Sequence, residues 1–327
     1  MGLEDIFKEG PLPIQTLTIP AQQRATATGP CCHGRASPME PTALPPKPLM
    51  VILPSQEGDY PVLLYLHGYL LLNSYYSQLL CHIASHGYIA IAPQMYTAAG
   101  PDATPEIRDA VAITEWLPTG FAGRLPTHVR PDLQKVAVAG HSRGGKVAFG
   151  AALGRATPPP SLPYAAIVGV DPVDGMAAGR QTPPLILGYG DHDFENSIPA
   201  LVIGSGLGPV RRNPLFPPCA PAGVNHVDFF RECRAPAYHF VATEYGHQDF
   251  LDDETGGVRG RATYCLCKNG TAREPMRRFA AGIIVAFLNA WLRNDSADLE
   301  DVLADPSRAP VKMEPPEWNL FQKVPTL

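Results

Sequence analysis

A serine between two glycines, in Gly140-His-Ser142-Arg-Gly144, carries the strongest chemical signal in the chain. The apolar run VAVA precedes it and a second apolar run follows, so a strand, a sharp turn and a helix are predicted in that order. In such a turn, small residues two positions before and after the serine allow the strand and the helix to pack closely. We therefore predict Ser142 to be a nucleophile above the end of a sheet; the alternative is an ordinary turn serine.

A nucleophile of this kind needs donors for the negative charge that develops on the attacked carbonyl oxygen. The backbone N–H of Arg143 would lie at the start of the helix, where such a charge is stabilised. The second donor is expected from the loop after an early strand, Leu66-His-Gly-Tyr69, through the backbone N–H of Tyr69. His67 in this loop is expected to bond within the turn and to have no catalytic role.

The serine also needs a base, because its hydroxyl is a weak nucleophile at neutral pH. The candidates that follow it in the sequence are His192, His226, His239 and His247. His247 comes after the apolar run AYHFVATE and the turn Tyr245-Gly246, where the loop after the last strand would deliver a base, so His247 is predicted. His239 lies inside a predicted strand, and His226 lies in a long loop.

Position alone leaves several candidates for the acid that orients the base. Asp171 ends the run YAAIVGV, and Asp191 and Asp193 follow the run PLILGYG. Both places are carboxyl ends of predicted strands, where ligands meet in α/β sheets. Position slightly favours the later pair, because the acid of such folds usually follows the strand after next. Asp174 is a weaker alternative, and for each aspartate a cap or turn role is also common.

These residues require a scaffold in which strands and helices alternate. Short apolar runs predict strands over 61–66, 87–92, 135–139, 164–170, 184–189 and 237–243. Helical patterns cover 75–85, 105–117, 144–153 and 276–292. The alternation predicts the α/β class, with a mostly parallel sheet and helices on both faces. Together with the turn around Ser142, it indicates an α/β-hydrolase fold.

Composition divides the chain into three parts. Residues 1–45 are predicted to form a Pro-rich N-terminal arm or edge strand outside the core, and 46–297 the catalytic domain. That domain includes a long Gly/Pro-rich insert over 198–230, and loops of this length are usually functional. Residues 298–327 are predicted to be an extension that packs on the same domain.

The overall composition excludes several classes of protein. Hydrophobic residues make up 45% of the chain and charged residues 17%, which allows a sizeable core. A net charge of −5 without a basic tract argues against nucleic-acid binding. No apolar run is long enough to span a bilayer, and MGLEDIFKEG has no clear targeting pattern.

The cysteines do not form a recognisable metal motif. Their number, 7, is odd, and Cys31-Cys32 and Cys265-x-Cys267 do not have the usual zinc spacings. Free or buried thiols are expected. Whether a disulfide forms among Cys219, Cys233, Cys265 and Cys267 is left open by the sequence.

Longer segments make a family resemblance specific. With GHSRGGK, DPVDG, RNPLFPPCAPAGVNH, EYGHQDFLDDETGG and YCLCKNGTAREPMRR, the chain resembles the plant chlorophyllases over about residues 45 to 293. That resemblance implies hydrolysis of chlorophyll a or b, or related phytylated pigments, to a chlorophyllide-type product and phytol. It also implies location in the chloroplast or another plant endomembrane, and no metal or other cofactor.

The resemblance also assigns the site. In this family the nucleophile lies in GHSRGG, the acid in the DPVDG segment and the histidine in the YGH segment, which correspond here to Ser142, Asp171 and His247. Asp171 is therefore the predicted acid, with Asp191 as the alternative, and the preference from position is reversed.

A phytyl ester would need an apolar binding surface, since each buried CH₂ is worth about 0.8 kcal/mol. The loop beside the oxyanion donor and the long insert, including 198–203, are unusually apolar. We expect a groove, or a lip that touches a membrane, formed by Leu70, Leu71, Leu72, Leu215 and Phe216. The alternative is that such side chains belong to the core. Rival functions are a general lipase or cutinase-like esterase and a hydrolase-fold binding protein without catalysis.

Overall fold

A mostly parallel sheet forms the centre of the molecule. A computed structural model describes residues 6–22, 44–195 and 197–320, and within these the sheet has nine strands in the order β1-β2-β4-β3-β5-β6-β7-β8-β9. The strands are β1 (Ile14–Ile19), β2 (Leu49–Pro54), β3 (Gly58–Leu66), β4 (Ile89–Pro93), β5 (Val129–His141), β6 (Ala166–Val170), β7 (Ala200–Ser205), β8 (Ala237–Ala242) and β9 (Glu317–Asn319). In the order of the sheet, the neighbouring strands β4, β3, β5, β6, β7 and β8 are parallel to one another. The strands β1, β2 and β9 pair antiparallel at the edges.

Helices cover both faces of this sheet. They are α1 (Ser77–Ser85), α2 (Thr104–Trp116), α3 (Arg143–Ala152), α4 (His226–Glu232), α5 (Gly257–Cys265), α6 (Glu274–Arg293) and α7 (Ala297–Ala304). The core on one face contains apolar residues of α1, α6 and α7, and the core on the other face those of α2, α3 and α4. The predicted α/β class and the α/β-hydrolase fold are confirmed.

The alternation of side chains along β3 shows how the two cores are divided. Leu63 and Tyr65 lie in the core that contains α6, whereas Val62, Leu64 and Leu66 lie in the other. Successive residues of a strand point to opposite faces, so a continuous apolar run is required where both faces are covered.

The N-terminal arm differs from the expectation in one respect. β1 is an edge strand, as predicted, but Ile6 and Phe7 are buried in the core. Phe7 packs against Gly282 of α6, where an added Cβ would lie 2.4 Å from its ring. The prediction that the arm lies outside the core is therefore wrong for these two residues; the arm residues 1–5 and 23–43 lie outside the described part of the chain.

The predicted strand over 184–189 does not form. Its apolar pattern is real, but the backbone N–H groups of residues 186–189 donate to two buried carboxylates, those of Asp174 and Glu232, and not to a neighbouring strand. The sheet position is taken by β7, which lies inside the segment predicted to be a long insert. Residues 200–205 are therefore core, so the expectation that 198–203 add exposed apolar surface is wrong for residues 200–203.

The C-terminal part is folded onto the sheet and helices. α7 contributes Leu299 and Val302 to the same core as α6, and β9 pairs with β8 through Trp318 and its neighbours. Residues 321–327 lie outside the described residues. The division into arm, catalytic domain and extension stays a prediction.

Candidate active site

The turn between β5 and α3 holds Ser142 in a strained conformation. Its φ is 56° and its ψ is −122°, in a region that side chains other than glycine rarely adopt. A Cβ on Gly140 would lie 2.2 Å from the carbonyl of Gly144, and one on Gly144 would lie 2.1 Å from the carbonyl oxygen of Leu66. The close approach of strand and helix therefore needs glycine at both positions, as the motif predicts.

The three residues predicted to act together are in hydrogen-bond contact. Ser142 Oγ lies 2.8 Å from His247 Nε2, and His247 Nδ1 lies 2.7 Å from Asp171 Oδ2. An ionised carboxylate can only accept, so Nδ1 of His247 carries the proton and donates to Asp171. Nε2 is then free to accept the hydroxyl proton of Ser142.

Asp171 is fully buried at the end of β6, and the end of β7 holds its carboxylate. The backbone N–H of Ser205 donates to Oδ1 at 3.1 Å, and the Ser205 hydroxyl donates to Oδ2 at 2.5 Å. Burial alone would raise the pKa of Asp171, but the hydrogen bond from His247, the charge that His247 carries when protonated and the hydrogen bond from Ser205 outweigh it and hold the pKa below its usual value. Sequence reasoning missed Ser205, which has no local motif.

The alternative acids lie elsewhere. Asp191 is exposed, and its carboxylate pairs with Arg231 at 2.6 Å on the surface. Asp174 is buried in an ion pair with Lys146 at 2.8 Å. Asp193 folds back on its own turn, against Gly190. The position argument for the later aspartates depended on the strand that does not form over 184–189.

The other histidines have structural partners. His67, for which the sequence predicts no catalytic role, bonds within its own turn through Nδ1, 2.9 Å from the carbonyl oxygen of Gly68. Its Nε2 accepts from the backbone N–H of Met95 at 3.0 Å. His226 is the first residue of α4, not part of a loop, and lies 2.8 Å from His239. Burial lowers the pKa of His67 and of His226 to about 4, so both are neutral at physiological pH.

The side chain of Arg143 connects the nucleophile turn to the loop that carries Tyr69. Its guanidinium is buried, bonds Glu106 at 2.6 Å and donates to the carbonyl oxygens of residues 100–102. It also lies over the rings of Tyr69 and Tyr96, at 5.2 and 5.9 Å. Sequence reasoning assigned Arg143 a role through its backbone N–H alone, and no local pattern points to these side-chain contacts.

Arg143 and Tyr69, the residues predicted to supply the oxyanion donors, lie on the two segments next to Ser142. Arg143 is the first residue of α3, and the first N–H groups of a helix have no partner within the helix. Tyr69 follows Gly68, whose added Cβ would lie 3.3 Å from Ser142 Cβ, so this loop runs directly beside Ser142.

The apolar residues expected to bind substrate differ in exposure. Leu215 is 87% exposed, Phe216 is 41% and Leu70 is 36%, so these three side chains are open to a ligand. Leu71 is buried in the core and Leu72 is half-buried against it, which differs from the expectation of an exposed groove.

A disulfide holds the loop between β7 and α4 against the segment after α5. Cys219 pairs with Cys267, while Cys233 is buried and free and Cys265 is exposed and free. Arg212 donates to the carbonyl oxygen of Tyr264 in α5. The exposed Leu215 therefore belongs to a loop that is fastened at both of these points.

The fold and the arrangement of serine, histidine and aspartate are those of a serine hydrolase of the α/β-hydrolase class. Comparison with known sequences makes the class specific, because a family model described as Chlorophyllase matches residues 3–319. The chain belongs to the chlorophyllase family.

Individual relatives support this membership. Chlorophyllase-2 of Arabidopsis thaliana is 52% identical over 294 residues, which are 90% of each chain. Chlorophyllase-1 of Arabidopsis thaliana is 44% identical over 273 residues, 83% of this chain and 84% of the relative. A relative from Citrus unshiu, named Chlorophyllase-1, chloroplastic, is 42% identical over 311 residues, 94% of this chain and 89% of the relative.

None of the helices in the described part of the chain combines the length and the apolar character needed to span a bilayer.

Proposed function

We propose that this chain is a serine carboxylesterase that hydrolyses the phytyl ester of chlorophyll a and b to chlorophyllide and phytol. The observation that carries the proposal is the hydrogen-bonded row of Ser142, His247 and Asp171 in a chain of the chlorophyllase family. We expect it to act in the chloroplast or another plant endomembrane; the name of the citrus relative indicates the chloroplast for that protein.

The reaction proceeds by acyl transfer. His247 takes the proton of Ser142, and the serine oxygen attacks the ester carbonyl on the macrocycle side. Asp171 orients His247 and stabilises its charged form. The backbone N–H groups of Arg143 and Tyr69 stabilise the oxyanion.

Product release follows from the same groups. The oxyanion collapses, and phytol leaves with the proton that His247 holds. A water molecule, deprotonated by His247, then attacks the acyl-enzyme, and the chlorophyllide carboxylate is released while Ser142 regains its proton. The magnesium of the pigment takes no part in these steps and stays in the product.

The phytyl chain would bind at the exposed apolar side chains of Leu70, Leu215 and Phe216. Burying a long branched alkyl chain there supplies about 0.8 kcal/mol for each CH₂. We also propose that this surface makes peripheral contact with a membrane, where a phytylated pigment would partition. These three exposed side chains are called the apolar rim of the site.

Product analysis tests the proposed function. The purified protein is incubated with chlorophyll a, and the pigments are separated and identified by their masses in a mass spectrometer. The expected product is chlorophyllide that retains magnesium, with an equal amount of phytol. Loss of magnesium as the enzyme-dependent step, or a clear preference for triglyceride in a competition assay, would overturn the proposal.

A further inference from the structure

A second row of buried hydrogen bonds runs beside the proposed catalytic residues. The backbone N–H of Gly68 donates to Tyr76 Oη at 3.0 Å, and Tyr76 Oη lies 2.8 Å from His141 Nδ1. His141 Nε2 in turn lies 2.7 Å from the carbonyl oxygen of His247. The row therefore begins in the loop that carries the oxyanion donor and ends on the backbone of the proposed base.

The direction of each hydrogen bond in this row follows from its last member. A carbonyl oxygen can only accept, so Nε2 of His141 carries the proton and donates to His247. Burial, together with the neighbouring His247, lowers the pKa of His141 to about 3, so the imidazole is neutral and its Nδ1 accepts. Tyr76 then donates its hydroxyl proton to Nδ1, and its oxygen accepts from Gly68.

Every member of the row is fixed by packing. Tyr76 is fully buried and directly precedes α1, whose first N–H groups, at Ser77 and Gln78, donate to the carboxylate of Asp252. The ring of His141, also fully buried, lies 4.6 Å from that of His247 between centroids. Neither side chain is free to change its rotamer without moving its neighbours.

We propose that Tyr76 and His141 are positioning residues for ester hydrolysis, which set the distance between the oxyanion loop and the base. This inference rests on the proposed function. Gly68 directly precedes Tyr69, so a bond that holds the Gly68 N–H also orients the next peptide, which carries the proposed donor. At the other end, the bond to the His247 carbonyl fixes the backbone from which the imidazole extends.

Tyr65 provides a matched control for Tyr76. Its hydroxyl is buried without a hydrogen-bond partner in the described part of the chain, and its ring packs on Tyr76 with centroids 5.2 Å apart. Tyr65→Phe and Tyr76→Phe therefore remove the same atom from neighbouring buried rings. Only the second change breaks the row.

Steady-state kinetics on chlorophyll a and on a short aryl ester test the inference. For Tyr76→Phe we expect kcat to fall about 10- to 100-fold, because small displacements of catalytic groups have effects of this size. KM should stay within about twofold, since neither Tyr76 nor His141 lies on the exposed apolar surface proposed to bind the phytyl chain. Tyr65→Phe should keep the kcat of the unchanged protein, and thermal unfolding shows whether each variant is folded.

His141→Gln is a second variant, used in case Tyr76→Phe does not fold. A glutamine amide can keep a donor near the His247 carbonyl but offers Tyr76 no ring nitrogen, so kcat should again fall with KM retained. A wild-type kcat in either folded variant, a change in KM alone, or an equal loss in Tyr65→Phe would overturn the inference. If the unchanged protein cleaves neither ester, the proposed function fails first and this inference fails with it.

Discussion

The buried residues around Ser142, His247 and Asp171 form the floor of the site, and the exposed side chains of Leu70, Leu215 and Phe216 form its rim. The two regions are built in different ways. On the floor, Asp171 and His247 are buried, and each makes defined hydrogen bonds to groups from other strands or loops. On the rim, Leu215 is 87% exposed, and its loop is held through a disulfide and the side chain of Arg212. One region is fixed before a ligand arrives, whereas the other offers apolar surface to whatever binds.

The difference indicates a division of work. Donors and acceptors that are already oriented stabilise developing charge without reorganisation, so the floor should control the chemical step. Exposed apolar groups contribute free energy only when a ligand or a membrane covers them, so the rim should control KM and membrane binding. Substitutions in the two regions should therefore change different kinetic constants.

The largest effect is expected from Ser142→Ala on the floor. Without the nucleophile, kcat should fall by roughly 10⁴- to 10⁶-fold while the protein stays folded. Labelling by a fluorophosphonate probe should be lost together with chlorophyll hydrolysis. Ser161→Ala, on the surface, is the control and should keep both; appreciable turnover by the Ser142 variant would show that another group attacks the ester.

Among the buried groups near the site, the ion pair between Arg143 and Glu106 should make the largest contribution to the stability of the folded protein. In Arg143→Gln, the buried carboxylate of Glu106 loses its partner, which typically costs about 3–5 kcal/mol in the free energy of unfolding. Urea unfolding measures this change. The double variant Arg143→Gln/Glu106→Gln should recover part of the loss, and an undiminished loss in the double variant would contradict the explanation by an unpaired charge.

The buried, neutral His226 should make the free energy of unfolding depend on pH. Burial lowers the pKa of His226 from 6.5 to about 4, so in this interval the unfolded chain binds a proton that the folded protein does not. Stability therefore falls as the pH falls through this window. His226→Gln should flatten the slope by about 1.4 kcal/mol per pH unit.

Urea unfolding at about pH 5 and pH 6 measures that slope. Between about pH 7.5 and pH 8.5, neither state takes up a proton at His226, so the variant and the unchanged protein should have equal slopes there. A slope at lower pH that His226→Gln does not alter would contradict the buried, neutral imidazole.

The smallest effect is expected on the rim. Leu215→Ser should raise KM for chlorophyll about three- to tenfold, with kcat nearly unchanged, because a Leu side chain loses part of its burial energy. Sedimentation with lipid vesicles should show weaker binding. The matched control is Leu320→Ser, which follows β9 and lies near the start of β8, opposite to the end that leads to His247. A fall in kcat for the Leu215 variant would contradict the distinction between floor and rim.

Local patterns were sufficient for the parts of the site that follow one another in the chain. The glycines around Ser142 and the apolar runs on either side predict the turn that forms, and the apolar run before His247 forms β8 as predicted. Local patterns were not sufficient to choose the acid, because the run over 184–189 has the pattern of a strand but does not form one. Only the distant carboxylates of Asp174 and Glu232 show why it is not one.

Contacts between distant segments had no signal in the sequence. Tyr76 and His141 are 65 residues apart, and nothing around either residue predicts that they meet. The same holds for Ser205, which is 34 residues from Asp171 and takes the place at the end of β7 where position would have put the acid. Such contacts depend on the order of strands in the sheet, which a single sequence does not determine.

The assignment of Asp171 as the acid is tested most directly by a matched pair of variants, Asp171→Asn and Asp191→Asn, assayed on chlorophyll a with folding checked for each. Asp171→Asn should lower kcat about 10⁴-fold, because an amide favours the wrong tautomer of His247. Asp191→Asn removes a carboxylate that pairs with Arg231 on the surface and should leave kcat within about twofold. Loss of turnover in a folded Asp191→Asn protein, with activity retained in Asp171→Asn, would contradict the proposed triad.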